Sequence, residues 1–194
     1  YVTGMCHDIE DPTFDATAVA TNPKAQVRPI HRPPRQPADR NPHCAWTVII
    51  DDSHPDAAAI PALDVVAQSE AATWQLDAID PNDEGAQDYS GQLLSDVDFS
   101  AFSHSALVRI ADEVCLQMHL LNLSFGIAVR KRADADEQAI VICTKQLTGI
   151  AGVAAERIRS ALGLPADLHG LSTVLELHPL LNPSGYVGRD VGDG

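Results

Sequence analysis

The chain has few aromatic residues and an uneven supply of positive charge. Phe, Trp and Tyr make up 5% of the 194 residues, and none alternates with basic residues as on a surface that binds single-stranded nucleic acid. No Lys or Arg occurs between Arg40 and Arg109, an interval that holds twelve Asp and Glu residues. The formal charge of −14 argues against duplex DNA or an anionic membrane as the main partner, because both carry negative charge.

Motifs that identify several enzyme classes are missing as well. The sequence contains no glycine-rich phosphate loop, no C-x-x-C pair and no dinucleotide fingerprint. Ferritin-like di-iron bundles need Glu-x-x-His on their helices. Glu113, Glu137 and Glu156 are followed at that spacing by other residues (Leu116, Ile140 and Arg159). These absences argue against nucleotide-dependent and di-iron enzymes.

Signals for export and for membrane insertion are not recognised either. No positively charged and then apolar segment opens the sequence, and no apolar run reaches the length of a membrane span. The four cysteines do not form a spaced disulfide framework (Cys6, Cys44, Cys115 and Cys143). Two of them lie within apolar helical patterns, where a free thiol behaves as a small hydrophobic group. We therefore expect a cytoplasmic protein without a membrane span.

The strongest pattern that is present runs from Ser103 to Leu164. Apolar residues recur every three or four positions in two arms (Leu107, Ala111, Val114, Met118, Leu121, Phe125 and Ala128; then Ile140, Cys143, Leu147, Ile150, Ala154 and Ala161). This spacing places them on one face of an α-helix. Ser103 suits a helix start, Arg130 to Arg132 suit a helix end, and Asp134 with Glu137 three residues later suits the next start.

We predict that these two arms form a long antiparallel helix pair. In that register Phe125 faces Cys143 and Leu121 faces Leu147, with Gly149 and Gly152 allowing close approach further along. A β-hairpin is the alternative, because residues 121–129 also alternate between apolar and other residues and residues 139–143 are rich in β-branched side chains. The helical pattern is much longer than the alternating one, so the helix pair is favoured.

Residues 1–43 are rich in proline and arginine and show no apolar periodicity. Proline fixes φ and lacks a backbone donor, so this composition favours extended backbone that is disordered in isolation. We predict an extended N-terminal arm that lies on a neighbouring subunit, with its basic residues near the acidic surface of residues 44–108. The alternative is an arm that folds on its own domain. Residues 44–180 then form the helical domain and residues 181–194 a glycine-rich tail.

The remaining elements follow from local signals. Residues 45–50 predict a strand, which must pair with residues 173–175 or with a partner chain because its backbone groups need partners. Residues 56–79 predict a helix, 80–98 an acidic loop, 168–178 a short helix or strand, and 182–185 a turn. The predicted fold class is mainly α, a helical bundle built on the long antiparallel pair with one or two short strands.

Cys115, His119 and Glu113 are the first candidates for catalytic residues. Cys115 and His119 are four positions apart, so they share a helix face on which the imidazole could lower the pKa of the thiol and activate a nucleophile. The alternative is structural, with both side chains buried and the imidazole bonded to an oxygen. Glu113 belongs to a cluster of charges that the register brings together (Arg109, Asp112, Glu113, Glu156, Arg157 and Arg159). Such a cluster either shifts a carboxylate pKa toward catalytic use or forms interhelical ion pairs.

Two doublets, Cys6-His7 and His43-Cys44, offer zinc-ligand chemistry at either end of the arm. Adjacent residues rarely reach one coordination sphere, so we assign no metal and no cofactor to the chain. The predicted function is a non-catalytic accessory or scaffold subunit of a cytoplasmic assembly, a homo-oligomer or a complex with a partner protein, which uses arm and tail for subunit contacts. The alternatives are an enzyme or ligand-binding protein with a pocket between the central helices and, third, a nucleic-acid contact through the arm.

Overall fold

A computed structural model describes residues 3–56, 60, 62–90 and 97–188. The fold is mainly α with one two-stranded sheet, which confirms the predicted fold class. The elements are a π-helical segment (Thr3–Glu10), α1 (Asp11–Thr21), β1 (Ala25–His31), β2 (Ala45–Ile50), α2 (Leu63–Ala67), α3 (Glu70–Thr73), a 3-10 turn (Phe99–Ala101), α4 (His104–Arg132), α5 (Asp136–Ala161), α6 (Leu168–Leu177), a second 3-10 turn (Pro179–Leu181) and α7 (Ser184–Val187).

The two long helices, α4 and α5, are present and the β-hairpin alternative is wrong. Ser103 caps α4 as predicted, because its side chain accepts a 3.2 Å hydrogen bond from the amide of Ala106. The predicted cap of α5 needs correction. Its N-cap is Ala135, which has no side chain that could accept a bond, and Gln138 instead accepts a 2.8 Å bond from the Asp134 amide. That bond resembles the return bond of a capping box, but it reaches the amide one residue before the N-cap.

The face that α4 buries differs from the predicted stripe. Its buried residues are Ala106, Cys115, Leu116, Leu120, Ser124, Ala128 and Val129. Only Ala128 belongs to the predicted set, and Val114 is 59% exposed. The reason is that α4 packs on α1 and on α2 and α3 in one core, whose buried members include Ala16, Val66 and Leu120. Periodicity identified the helix but not the neighbour that covers it.

The helices α4 and α5 meet near their connection and not along their whole length. Ala128, Val129 and Ala139 form a second core there with Ile9, and Phe125 and Cys143 pack against it. Ala139 is the one buried residue of α5. Beyond this core α5 packs against α6. The predicted proximity of Phe125 and Cys143 is therefore found, whereas the far part of the predicted pairing is not.

The N-terminal arm is not extended in its first half, which corrects the prediction for residues 1–43. Residues 3–21 are helical, and Cys6, Ile9 and Ala16 are buried in the two cores or beside them. Pro12 lies in the first turn of α1, where the missing donor costs nothing. The other prolines of the arm begin at Pro23, and residues 32–44 between the strands have no regular structure. The alternative of an arm folded on its own domain describes residues 3–31.

The strand predicted at residues 45–50 is present, but its partner is β1. The two strands pair antiparallel with Ala25 opposite Ile50 and Val27 opposite Val48. Pairing with residues 173–175 is wrong, because those residues lie in α6. Ala25 and Val27 are buried against α1, whereas Val48 and Ile50 on the same face are 49% and 54% exposed. Half of the inner face of the sheet thus lacks cover among the described residues.

The single helix predicted at residues 56–79 is replaced by the short helices α2 and α3. Ser69 separates them, since its hydroxyl donates a 2.6 Å bond to the Val66 carbonyl and accepts from the Ala72 amide to cap α3. Residues 57–59 and 61 of that prediction lie outside the described residues, as do 91–96 of the acidic loop and 189–194 of the tail. Residues 168–177 are helical, and α7 begins within the predicted turn at Ser184.

Candidate functional site

Cys115, the candidate nucleophile, is buried and lacks an activating partner among the described residues. Its side chain is 8% exposed, and no hydrogen bond in the described chain joins it to His119. Burial raises the pKa of the Cys115 thiol, and the nearby Asp112 carboxylate raises it further. A protonated, enclosed thiol is a poor nucleophile. The environment of Cys115 is that of a small core residue.

His119 holds the C-terminal segment against α4. Its Nε2 lies 2.9 Å from the carbonyl oxygen of Asn182, and its ring lies 5.0 Å from that of Tyr186, which in turn meets Trp74 edge-on at 5.5 Å. A second imidazole acts similarly, because buried His178 places Nε2 3.2 Å from the Ala151 carbonyl of α5. Together the two bonds make the segment around residues 178–182 a brace between α4 and α5.

Glu113 also has structural partners. Its Oε1 accepts 2.9 Å bonds from Arg109 Nε and from the Tyr89 hydroxyl. Arg109 donates in addition to the Asp77 carbonyl at 2.8 Å, so this group fastens the loop before α4. On α5, Arg159 pairs with Glu156 at 2.8 Å. The predicted interhelical cluster is therefore two separate ion pairs, each within one helix of the described chain.

The Cys-His doublets do not converge either. Cys6 is buried, and burial together with the Glu10 carboxylate raises the pKa of its thiol. His7 lies 3.4 Å from the Asp11 carboxylate, whereas His43 and Cys44 are exposed. Within the described ranges no group of three or more His, Cys, Asp or Glu side chains is placed to hold a metal ion.

An apolar cavity lies elsewhere in the described structure, between α1, the sheet and α4, and we call it the hairpin groove. Its volume is about 380 Å³. It is lined by Phe14, Thr17, Ala18, Thr21, Asn22, Ala25, Val27, Trp46, Val48, Ile50, Gln117 and Leu121. Phe14 and Trp46 meet edge-on at 4.7 Å at one end, and no charged side chain lines the groove. Trp46, Val48 and Ile50, which form one wall, belong to the strand predicted at residues 45–50.

The described surface also exposes many apolar side chains on and between α5 and α6, and we call this part of the surface the α5–α6 face. Its exposed side chains are Ile140, Val141, Leu147, Ile150, Val153, Leu162, Leu168, Leu171 and Leu177. Leu168 is 84% exposed and Val153 54%. Monomeric soluble proteins rarely expose contiguous apolar patches larger than a few hundred Å². Sequence periodicity identified these residues as apolar but assigned part of them to a helix interface.

Among the described helices, α5 alone is long and apolar enough to cross a membrane. The helix is long enough to span a bilayer, and its most apolar stretch of 18 residues has a mean hydropathy of 1.2. Only 6% of that stretch is buried within the protein. Exposed Lys145 and Glu156 flank the middle of the helix. This result qualifies the expectation that no segment reaches span length, and by itself it is weak evidence.

Comparisons with protein-family models, with curated proteins and with solved structures found no significant match to this chain.

Proposed function

We propose that this protein is a non-catalytic subunit of a larger cytoplasmic assembly and that it associates with a second copy of itself through the α5–α6 face. The observation that carries the proposal is the exposure of α5. This helix of 26 residues buries only Ala139 within the described chain, although most of its side chains are apolar. A helix that is apolar around most of its circumference needs cover on more than one side.

The α5–α6 face offers many apolar side chains for an interface. A standard protein–protein interface buries about 800 Å² on each partner, and obligate dimers use larger and more apolar areas. Burying one large apolar side chain completely contributes about 1.5–3 kcal/mol, so a few residues of the face suffice to offset the loss of translational freedom.

A second copy is the partner that the chemistry of the face favours. Residues 146–155 of α5 carry no charge, so the face lacks the charge pattern with which an interface selects a different partner. A twofold axis places the same apolar patch on both sides of one contact, and twofold dimers are the commonest oligomers. Two copies each carrying −14 repel one another, so added salt should strengthen this association.

We expect the N-terminal arm to contribute less to subunit contacts than the sequence indicates. Residues 3–31 complete the cores of their own chain. Exposed Arg35, in the irregular segment between the strands, remains available for a secondary contact. The catalytic alternative for Cys115, His119 and Glu113 stays a prediction that the geometry favours less, because each side chain is buried or bonded to a neighbouring structural group.

The proposal is tested by sedimentation velocity and native mass spectrometry over a range of protein concentrations. We expect a dimer whose dissociation constant rises at least about tenfold in Val153→Glu, which corresponds to 1.4 kcal/mol or more. Val65→Glu is the matched control, because Val65 is 55% exposed on α2 and lies outside the face. Both variants should keep the helical content of the wild type.

Three outcomes would count against the proposal. The first is a wild-type chain that stays monomeric at every concentration. The second is an equal effect of Val153→Glu and Val65→Glu on association. The third is recruitment of the monomer to vesicles of uncharged phosphatidylcholine through Val153, which would assign the face to a bilayer.

A further inference from the structure

The hairpin groove lies on a different side of α4 from the brace to α5, and its lining residues are not part of the α5–α6 face. We propose that the groove binds a small, uncharged and mainly apolar molecule that carries one hydrogen-bonding group. This site is independent of the α5–α6 face.

The size of the groove suits such a ligand. Small-molecule sites in proteins usually enclose about 300–1,000 Å³, and the groove, at about 380 Å³, lies at the lower end. At about 30 Å³ per water molecule this space corresponds to roughly a dozen waters. A compact molecule with about ten to twenty non-hydrogen atoms would fill it.

The lining determines the charge of the ligand. None of the residues that line the groove is Asp, Glu, Lys, Arg or His. An ionised group placed there would lose hydration without gaining an ion partner, which is costly. Apolar ligand surface, by contrast, would cover Val48 and Ile50, which are 49% and 54% exposed on the inner face of the sheet. The groove therefore favours a neutral molecule over an acid or an amine cation.

One end of the groove offers hydrogen bonds. Gln117 Nε2 donates a 2.9 Å bond to Thr21 Oγ1, which also lies 3.1 Å from Gln117 Oε1 and 3.2 Å from the Thr17 carbonyl, so one amide N–H of Gln117 and part of its oxygen's acceptor capacity are not used by these contacts. A primary amide has two donor hydrogens and an acceptor oxygen, so Gln117 keeps capacity for a ligand hydroxyl. At the other end Phe14 and Trp46 supply aromatic surface. A molecule with an apolar body and one hydroxyl group, or one aromatic amine N–H that stays uncharged, matches both ends.

Trp46 provides a direct signal for occupancy. The chain has two tryptophans, and the other, Trp74, packs against Tyr186 away from the groove. In a Trp74→Phe background all tryptophan emission comes from Trp46. N-phenyl-1-naphthylamine, an uncharged fluorophore, serves as the probe, and energy transfer from Trp46 reports that it is bound in the groove. We expect saturable transfer.

Two variants fill the groove from opposite walls. Ala18→Phe acts from α1 and Val48→Phe from β2, and each should weaken probe binding by at least about tenfold, or 1.4 kcal/mol. Ala111→Phe is the control, because Ala111 is an exposed alanine of α4 outside the groove. Decanol should displace the probe, whereas decanoate should compete at least about tenfold more weakly because its carboxylate loses hydration.

The proposal is overturned if both filling variants fold, by circular dichroism, and bind the probe as the wild type does. It is also overturned if Val153→Glu abolishes binding while Ala18→Phe does not, since the probe would then occupy the α5–α6 face. Equal competition by decanoate would contradict the neutral ligand. Binding that disappears as the chain dimerises would assign the groove to the second copy.

Discussion

The Thr17 hydroxyl of α1 lies 3.0 Å from Ser124 Oγ of α4 and donates to it, and it shares that proton with the Thr13 carbonyl at 2.8 Å. Thr17 is 8% exposed and Ser124 is fully buried. This contact joins residues 107 positions apart. It shows that α1 is part of the same folded unit as α4.

Thr17→Val should destabilise the protein by about 1–3 kcal/mol, because it leaves a buried Ser124 hydroxyl without this donor. The double variant Thr17→Val with Ser124→Ala should cost less than the sum of the single changes, since both polar groups are then removed. Urea unfolding measures both effects. Thr73→Val is the control, because the Thr73 hydroxyl bonds the Ser69 carbonyl on the exposed surface. Strictly additive single changes would show that the two hydroxyls are not coupled.

Gly126→Ala and Gly170→Ala should change the stability of the protein in opposite directions. A Cβ on Gly126 in α4 meets no atom within 4 Å, so Gly126→Ala should gain up to about 1 kcal/mol from helix propensity. A Cβ on Gly170 in α6 would overlap the backbone carbonyl of Pro165. Gly170→Ala should therefore lower the melting temperature, while Gly126→Ala raises it. Thermal unfolding of both variants provides the comparison, and a stabilising Gly170→Ala would contradict the packing of α6.

The four thiols should differ in their reaction with iodoacetamide. Cys44 is exposed, whereas Cys6 and Cys115 are buried and burial raises the pKa of both thiols. Because only the thiolate reacts, Cys44 should be labelled first at pH 8, and Cys6 and Cys115 only upon unfolding. Peptide mapping by mass spectrometry gives the order. Rapid labelling of native Cys115 would revive its catalytic interpretation.

Asp83 should make the fold sensitive to acid. Its Oδ2 accepts a 2.7 Å bond from the Ser105 amide in the first turn of α4, and this hydrogen bonding holds the pKa of Asp83 below its usual value. A folded-state pKa below the unfolded one contributes stability that is fully present above the unfolded value, near pH 4. That contribution is lost as the pH falls through the folded pKa.

Asp83→Asn should therefore lower the melting temperature at neutral pH and flatten its fall below about pH 4. Melting temperatures measured against pH test this, with Asp39→Asn in the irregular segment between the strands as the control. A wild-type acid profile in Asp83→Asn would mean that the carboxylate does not stabilise the start of α4.

Local signals in the sequence were enough for α4, α5 and β2, but not for the helices of residues 3–21 or for the neighbours of most elements. Ser103 caps α4 and the short apolar run at residues 45–50 forms a strand because these signals act within a few positions. The face of α4 could not be assigned, since it is apolar on more than one side and Ser124 contributes to the buried one.

Contacts between segments that are distant in the sequence explain why the remaining predictions were incomplete or wrong. The partner of β2 lies across the irregular residues 32–44, in an arm whose prolines suggested extended backbone. The hairpin groove combines α1, the sheet and α4, so no single stretch of sequence contains its pattern. The absence of a described hydrogen bond between Cys115 and His119 has a related cause. Four-residue spacing places Cys115 and His119 on one side of a helix, but Asn182, far along the chain, supplies the partner of the imidazole.

The brace formed by His119 and His178 has a consequence for biosynthesis. Ribosomes synthesise a chain from its N-terminus at about 5–20 residues per second. The helix α5 therefore emerges before the segment that contains His178 and Asn182. During that interval α5 is attached to the nascent chain mainly through the core around Ala139, and it lacks the bond between His178 and the Ala151 carbonyl. A messenger truncated after α5 would leave the nascent helix permanently in that state, a substrate for quality control.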